Sequence, residues 1–299
     1  MSRAGRECFI AKEKMIMKLK NSDAEIYIPD KLPVDQALSR TTHMAISAHQ
    51  DDIEIMAYDG ILQCFGREDR WFWAAVVTDG AGSPRDDLYA DFSDADMKRI
   101  RKQEQKKAAF VGEYAGLALL DYPSAAVKDP RDGEIVAELK QLISRARPQV
   151  IYTHNLADKH DTHVGTVLKV IRAVRELPAA ERPAKLFGCE VWRNLDWVND
   201  PEKVVFDVSG HPNISASLVG VFDSQICGGK RYDLATAGRR VANATYAASH
   251  GTDQAAALIY GMDLTPLMND ANLDINEYID GYIERFRSDV AERIKKLRD

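Results

Sequence analysis

Apolar runs of strand length alternate with segments of helical periodicity along most of the chain. Continuous apolar runs, typical of strands covered on both faces, occupy residues 44–48, 71–77, 117–120, 150–153 and 186–191. Between them, apolar residues recur every three or four positions and predict helices at 53–65, 93–116, 135–147 and 164–174. Because connections are short and crossovers right-handed, this βα succession favours a Rossmann-like three-layer α/β/α sandwich with a mostly parallel sheet.

The two ends of the chain extend this pattern into one domain covering residues 1–299. Residues 1–40 are expected to form an N-terminal extension packed on the core, with a short edge strand at 24–28. Residues 41–195 form the core, and residues 196–299 complete the domain. That last part is expected to hold a strand at 204–208 and helices at 234–248 and 278–297.

Polar clusters follow two of the predicted strands. Residues 49–52 read His-Gln-Asp-Asp directly after the run 44–48, and residues 154–163 supply three histidines after the run 150–153. If these strands are neighbours, the clusters meet at the carboxyl edge of the sheet, where ligands bind in open α/β folds. Imidazoles and carboxylates together bind zinc or a similar divalent ion. The sequence therefore predicts a site for Zn²⁺ or another divalent metal.

Simpler interpretations exist for both clusters. His49 and Asp52 could cap a helix that begins at this point, since acidic residues favour a first helical turn. His160 and His163 could belong to one solvated helix start. The occurrence of both clusters directly after strands favours the metal site over these alternatives.

Four short segments carry a resemblance to a known family. They read Ala-His-Gln-Asp-Asp at 48–52, Thr-Asp-Gly-Ala-Gly-Ser at 78–83, Arg-Lys-Gln-Glu at 101–104 and His-Asp-Thr-His at 160–163. In this order and spacing they resemble the PIG-L/LmbE family of metal-dependent N-deacetylases over about residues 43–175, with a weaker echo at 223–225. The resemblance implies a hydrolase that acts on linear amide C–N bonds and removes an N-acetyl group from an N-acetylglucosamine-type or related substrate.

The resemblance also implies a role for each motif residue. His49, Asp52 and His163 would bind zinc, Asp51 would be the general base, and His160 would be the general acid or oxyanion stabiliser. The chemistry agrees, because a catalytic zinc takes three protein ligands and keeps a fourth position for water. A free carboxylate beside the metal can then take the proton of that water.

The motifs depart from the family pattern at four positions. Gln50 stands where the family usually has Pro, Asp161 and Thr162 stand in place of Pro and Asp, and Phe222 replaces a frequent His. Pro at position 50 would fix one backbone torsion and lack an N–H donor, so Gln50 changes how the loop holds Asp51.

Supporting residues are predicted around the proposed metal. His154, Asp158 and Asp161 are candidates for orienting the metal-binding imidazoles. Candidate substrate contacts are Arg85, Arg101, Trp192 and Arg193. Trp192 and Arg193 could stack on a sugar ring or serve packing, whereas Arg85 and Arg101 could also be ordinary charged residues of a loop and a helix.

Composition narrows the expected partners. With 40 basic and 46 acidic residues the net charge is -6, which disfavours nucleic acid as a partner. No segment approaches the roughly 20 apolar residues of a membrane span, and the N-terminus lacks a signal-peptide core, so we expect a cytoplasmic protein.

The four cysteines are far apart and form no CxxC pair, which favours reduced thiols. The expected partner is a small N-acetylated molecule, such as a sugar conjugate, and the family resemblance allows a homo-oligomer.

Two other functions compete with the hydrolase. Gly80 and Gly82, after the apolar run 71–77, could open a dinucleotide loop of an oxidoreductase, but Arg85 stands where the third glycine belongs. A non-catalytic protein that binds sugar or metal on a deacetylase scaffold is the second alternative, motivated by the departures at Gln50, Thr162 and Phe222. The retained Asp51 argues against it, because a binding protein needs no base beside the metal.

Overall fold

A computed structural model describes residues 17–298 and contains one eight-stranded sheet. The strands are β1 (Glu25–Tyr27), β2 (His43–Ser47), β3 (Phe72–Thr78), β4 (Gly116–Tyr122), β5 (Val150–His154), β6 (Lys185–Cys189), β7 (Val204–Asp207) and β8 (Leu258–Asp263). Their order across the sheet is β1-β4-β3-β2-β5-β6-β8-β7. The five central strands, β2 to β6, pair in parallel, whereas β1 and β8 run antiparallel to their neighbours.

Twelve α-helices connect the strands within residues 17–298. Those before β5 are α1 (Val34–Ser39), α2 (Asp52–Met56), α3 (Tyr58–Cys64), α4 (Asp94–Val111), α5 (Ser124–Lys128) and α6 (Glu134–Ala146). Those after it are α7 (Asp161–Arg175), α8 (Pro212–Gly220), α9 (Asp223–Ile226), α10 (Tyr232–Thr245), α11 (Thr265–Asn269) and α12 (Ile275–Arg298).

Alternate strand residues divide between two apolar cores, one on each face of the sheet. In β3, Trp73 and Ala75 pack into one core with α6 and α7, whereas Phe72 and Ala74 pack into the other with α2 and α3. Every residue of β2 and β3 is buried, as the continuous apolar runs predicted. The predicted fold class, a mostly parallel α/β/α sandwich, is confirmed.

Several predicted elements appear within a few residues of their expected bounds, but one predicted helix is divided and one strand was not predicted. The predicted helix at 53–65 is two helices, α2 and α3, which meet at Ala57 (φ -113°, ψ 23°). Strand β8, between β6 and β7, was not predicted at all. At the start of α4, Ser93 and Asp96 form a capping box, in which the Ser93 side chain accepts from the Asp96 amide. Cys8 and the first 16 residues of the predicted N-terminal extension lie outside the described residues, and Cys64, Cys189 and Cys227 are free thiols.

Candidate metal centre

The two polar clusters lie at the point where the strand order reverses. From β2 the chain adds β3 and β4 on one side, whereas β5 and β6 lie on the other side. Strands β2 and β5 are parallel neighbours, with His43 opposite Val150. Their carboxyl ends therefore open at a topological switch point, the usual ligand crevice of such sheets. His49 follows β2, and His163 lies in the first turn of α7 after β5.

Three ligand atoms face one another in this crevice. His49 Nδ1 lies 3.2 Å from Asp52 Oδ2 and 3.2 Å from His163 Nε2, and His163 Nε2 lies 3.4 Å from Asp52 Oδ2. A tetrahedral zinc shell with bonds of about 2.0 to 2.1 Å puts its ligand atoms about 3.3 Å apart. The triangle therefore has the edge lengths that three ligands of one tetrahedral ion require, and these residues fit a divalent metal.

The charges of the ligand set support the same conclusion. Burial lowers the pKa of His49 to about 4, which keeps its imidazole neutral and able to coordinate. Burial also lowers the pKa of His163, but Asp52 and Asp158 outweigh this effect and raise it to about 9. Burial acts to raise the pKa of Asp52, yet His163 and His154 hold it well below its ordinary value. A bound cation would take the place of the proton that His163 holds between two carboxylates.

Asp158 and His154 contact the His163 ring and orient it. Asp158 Oδ2 lies 3.5 Å from His163 Nδ1, the nitrogen that faces away from the ligand triangle. His154 stacks on the His163 ring with centroids 3.9 Å apart, and its Nε2 accepts a 2.8 Å hydrogen bond from the Ala48 amide. That bond occupies the Nε2 lone pair, so His154 orients rather than coordinates through this atom. Asp161, also predicted here, is exposed on the first turn of α7.

Asp51 is held in an unusual backbone conformation beside the triangle. Its φ is 87°, a left-handed value that non-glycine residues rarely adopt. Its amide donates to Gln105 Oε1 at 3.2 Å, and its Oδ2 lies 3.4 Å from Arg101 Nη2. Burial raises the pKa of Asp51 well above its ordinary value, against the opposing effect of Arg101. The result is a desolvated carboxylate whose position is set by two buried polar side chains.

Gln50 fills space where the family pattern has proline. Its side chain is fully buried, and its Nε2 donates to the Thr78 carbonyl at the end of β3. A Cβ at Gly80 would lie 2.4 Å from Gln50 Oε1, and Gly80 has a φ of +74°. The Gly80 position is therefore closed by a protein side chain, and α4 begins only at Asp94. A dinucleotide loop would need open glycine backbone at a helix start, so this geometry disfavours the oxidoreductase interpretation.

His160 is the N-cap of α7 and borders the triangle. Its Nδ1 accepts from the Thr162 amide at 3.3 Å, which assigns the proton of the neutral ring to Nε2. Its ring lies 5.0 Å from that of His49 and 4.6 Å from that of His163, measured between centroids. Burial and the neighbouring His163 lower the pKa of His160. The ring therefore offers one N–H donor, on Nε2.

A cavity of about 250 Å³ opens beside Asp52. Of the four predicted substrate contacts, Trp192 lies in its lining. Arg101 is instead buried against Gln50 and Asp51, and Arg85 bonds to Ala81 and Asp94. Arg193 is exposed and lies outside this lining.

Sequence reasoning missed most of the cavity wall. The missed lining residues include Lys159, Glu190, Tyr232, Arg239 and Arg240. Three of these belong to α10, whose amphipathic pattern indicates a buried face but not what that face contacts. Their place beside the ligand triangle depends on tertiary packing that no local motif encodes.

Comparison with known proteins gives a match to one family model and a shared fold. Residues 44–174 match the family model PIG-L, described as GlcNAc-PI de-N-acetylase. No curated protein shows significant similarity to the chain. N,N'-diacetylchitobiose deacetylase from Pyrococcus horikoshii is similar in structure, with a TM-score of 0.56 and 15% identity over 78% of this chain and 88% of the other.

Two further structures share the fold. The conserved protein TT1542 from Thermus thermophilus has a TM-score of 0.55 and 19% identity, covering 73% of this chain and 93% of its own. GalB from Pseudomonas putida, a 4-carboxy-2-hydroxymuconate hydratase, has a TM-score of 0.58 and 15% identity, covering 75% and 95%. Since this fold occurs in a hydratase and in a deacetylase, the reaction has to be argued from the site. The matched segment contains every residue of the ligand triangle, so the residues of the candidate metal centre lie within the part of the chain that is similar to the PIG-L family model.

Proposed function

We propose that the protein is a metal-dependent hydrolase that removes an N-acetyl group from an N-acetylglucosamine-type or related amide, with Zn²⁺ or another divalent ion as cofactor. The observation that carries this proposal is the triangle of His49, Asp52 and His163 ligand atoms with the buried carboxylate of Asp51 beside it. The PIG-L family match supports a deacetylase-type hydrolase.

Asp51 acts as the general base in this proposal. When bound, the divalent ion lowers the pKa of water and polarises the amide carbonyl. Asp51 takes a proton from the attacking water as the new O–C bond forms. Its desolvated setting raises its proton affinity, so it can hold that proton until the C–N bond breaks. The proton then passes to the departing nitrogen, which leaves as an amine, and acetate remains.

His160 stabilises the developing charge. Since Nδ1 is occupied by the Thr162 amide, Nε2–H is the donor that can reach the carbonyl oxygen of a substrate. The same group can give a proton to the amine as it departs. Either role requires the ring to stay beside the ligand triangle, where its contacts with His49 and His163 hold it.

The sheet supports one domain rather than two. Strands β7 and β8, from the part of the chain after residue 195, continue the sheet at β6. Among residues 17–298, none of the helices combines the length and apolar character that crossing a membrane requires.

An acetate-release screen coupled to metal analysis tests the proposal. We expect the purified protein to hold one divalent ion per chain and to release acetate from N-acetyl sugars or their conjugates. Asp51→Asn should retain the ion but lose at least about 100-fold in kcat, because it removes the base and preserves the shape. Full activity of this variant would exclude Asp51 as the base.

The same screen separates the competing functions. One ion per chain without hydrolysis of any amide would favour the metal-binding scaffold. Water addition to an unsaturated acid without acetate release would favour a hydratase, the activity named for the Pseudomonas putida relative.

A further inference from the structure

The cavity beside the ligand triangle has a cationic wall. Its lining includes Lys159, Arg239 and Arg240 as cations, and Asp52 and Glu190 as carboxylates. Both carboxylates are already engaged: Asp52 belongs to the ligand triangle, and Glu190 accepts from the Asn243 side chain and from the Leu195 and Tyr260 amides. None of the three cations is within ion-pair distance of a carboxylate in residues 17–298, although the chain carries a net charge of -6.

Arg240 is the most unusual of these cations. It is 5% exposed, and its guanidinium donates to the Ser215 hydroxyl and to the carbonyls of Glu54 and Ile55. Its Nε has no hydrogen-bond partner among the described residues. Burying a cation without a carboxylate is costly, and an anion in the adjoining cavity would offset that cost.

Aromatic rings link the ligand triangle to further cations. The Trp192 ring centroid lies 6.2 Å from that of His160, and Tyr232 meets Trp192 edge to face at 6.3 Å. Lys159 Nζ and Lys230 Nζ lie 5.9 Å and 5.1 Å from the Trp192 centroid. Trp192 and Tyr232 thus lie next to the ligand triangle, and the ammonium groups of Lys159 and Lys230 lie beyond them. Neither ammonium group has a carboxylate within ion-pair distance in residues 17–298.

We propose that this cavity binds the part of the substrate remote from the scissile amide, and that this part carries an anionic group, a phosphate or a carboxylate. That the anionic group belongs to a substrate rests on the proposed amide hydrolysis. With the acetamide at the triangle and a ring against Trp192, the anion meets Lys159 and Lys230, with Arg239 and Arg240 on the cavity wall. Cations around a pocket with low-dielectric walls concentrate anionic ligands.

The test compares amino sugars with and without an anionic group. Calorimetry on zinc-loaded Asp51→Asn protein measures the Kd of glucosamine, glucosamine 6-phosphate and muramic acid at low salt. We expect the phosphate or the carboxylate ligand to bind about 10-fold more tightly than glucosamine, and the better of the two identifies the anion. The difference should shrink as sodium chloride is raised from about 20 to about 300 mM.

Lysine variants locate the effect. Lys159→Met combined with Lys230→Met should reduce the preference for the anionic ligand about fivefold, because it removes two of the ammonium groups. Lys295→Met, on the exposed end of α12, changes charge in the same way away from the cavity and should leave the preference unchanged. Equal Kd values for glucosamine and for the two ligands that carry an anionic group, or a preference that survives the double substitution, would overturn the inference.

Activity separates this inference from the proposed function. In the wild-type chain, kcat/KM should favour N-acetylglucosamine 6-phosphate or N-acetylmuramic acid over N-acetylglucosamine by a similar factor. Hydrolysis of all three at equal rates would reject the anion and keep the deacetylase. Lysine-dependent anion binding without hydrolysis of any amide would reject the deacetylase and keep an anion-binding cavity.

Discussion

Asp51 shows at the scale of one residue how the chain maintains a strained site. A left-handed backbone costs a non-glycine residue about 1 to 2 kcal/mol, and such conformations persist only where surrounding contacts enforce them. Here Gln105 holds the Asp51 amide, and Arg101 holds the Gln50 carbonyl at 2.6 Å. Gln105 is itself fixed by Glu54, whose Oε1 accepts from Gln105 Nε2 at 2.8 Å and from the Tyr114 hydroxyl at 2.7 Å.

Two substitutions at Asp51 measure this strain. Both Asp51→Gly and Asp51→Ala remove the carboxylate, but only glycine tolerates a φ of 87° without cost. Asp51→Gly should therefore be more stable than Asp51→Ala by about 1 kcal/mol in urea unfolding with a chelator present. Equal stability, or a more stable alanine variant, would show that the backbone is unstrained.

Gln105→Leu tests the contact that positions Asp51. The variant loses the acceptor of the Asp51 amide, so we expect kcat to fall about 10-fold or more with metal content retained. Stability should also fall by about 1 to 3 kcal/mol, because buried polar groups lose their partner. The control is Gln103→Leu, an exposed position on the same helix. A kcat equal to that of the control would remove Gln105 from the positioning of the base.

At the scale of elements, the central strands were predictable and the helix break was not. Strands buried on both faces carry continuous apolar runs, so β2, β3 and β5 could be predicted from the sequence. The apolar period continues across Ala57, so nothing local marks the end of α2. Arg240 from α10 stabilises the break, because it donates to the carbonyls of Glu54 and Ile55 that a continuous helix would bond internally.

Part of the candidate site could likewise be predicted from the sequence, and part could not. The ligand residues follow predictable strand ends, so their convergence could be expected from the order of the elements. Gln105 and Tyr232 come from helices α4 and α10, and their positions depend on packing between distant segments. Strand β8, with Gly261 in its interior, gave no clear strand signal because glycine adds no side chain to the alternation.

Close packing between β3 and β4 gives a prediction at this scale. A Cβ at Gly116 would lie 2.2 Å from Cζ3 of the fully buried Trp73 ring. Gly116→Ala should therefore destabilise the fold by about 1 to 3 kcal/mol, because the rigid ring has to move. At Gly82 a Cβ meets nothing within 4 Å, so Gly82→Ala is the control. Thermal unfolding of both variants checks this, and equal melting temperatures would contradict the packing described.

At the scale of the whole molecule, one cation would tie together segments more than a hundred residues apart. His49 precedes α2 and Asp52 is the first residue of α2, whereas His163 lies in α7. The unfolded chain does not hold these ligands together, so metal binding adds to the stability of the native state. A bound ion would thus join the segments that follow the neighbouring strands β2 and β5.

Removal of the metal should lower the melting temperature. At a free ion concentration about 100 times Kd, binding adds about 2.7 kcal/mol, which corresponds to about 4 °C for a chain of this size. Dialysis against a chelator should remove this increment, and zinc should restore it. His163→Gln should show no such difference between the two conditions. A wild-type melting temperature independent of the chelator would argue against an ion shared by these segments.

Anomalous diffraction at the zinc absorption edge, from crystals grown with zinc, tests the central claim most directly. We predict one strong peak per chain, within about 2.0 to 2.2 Å of His49 Nδ1, Asp52 Oδ2 and His163 Nε2 together. A peak elsewhere, or no peak between these three atoms at saturating zinc, would contradict the metal centre and the hydrolytic function built on it.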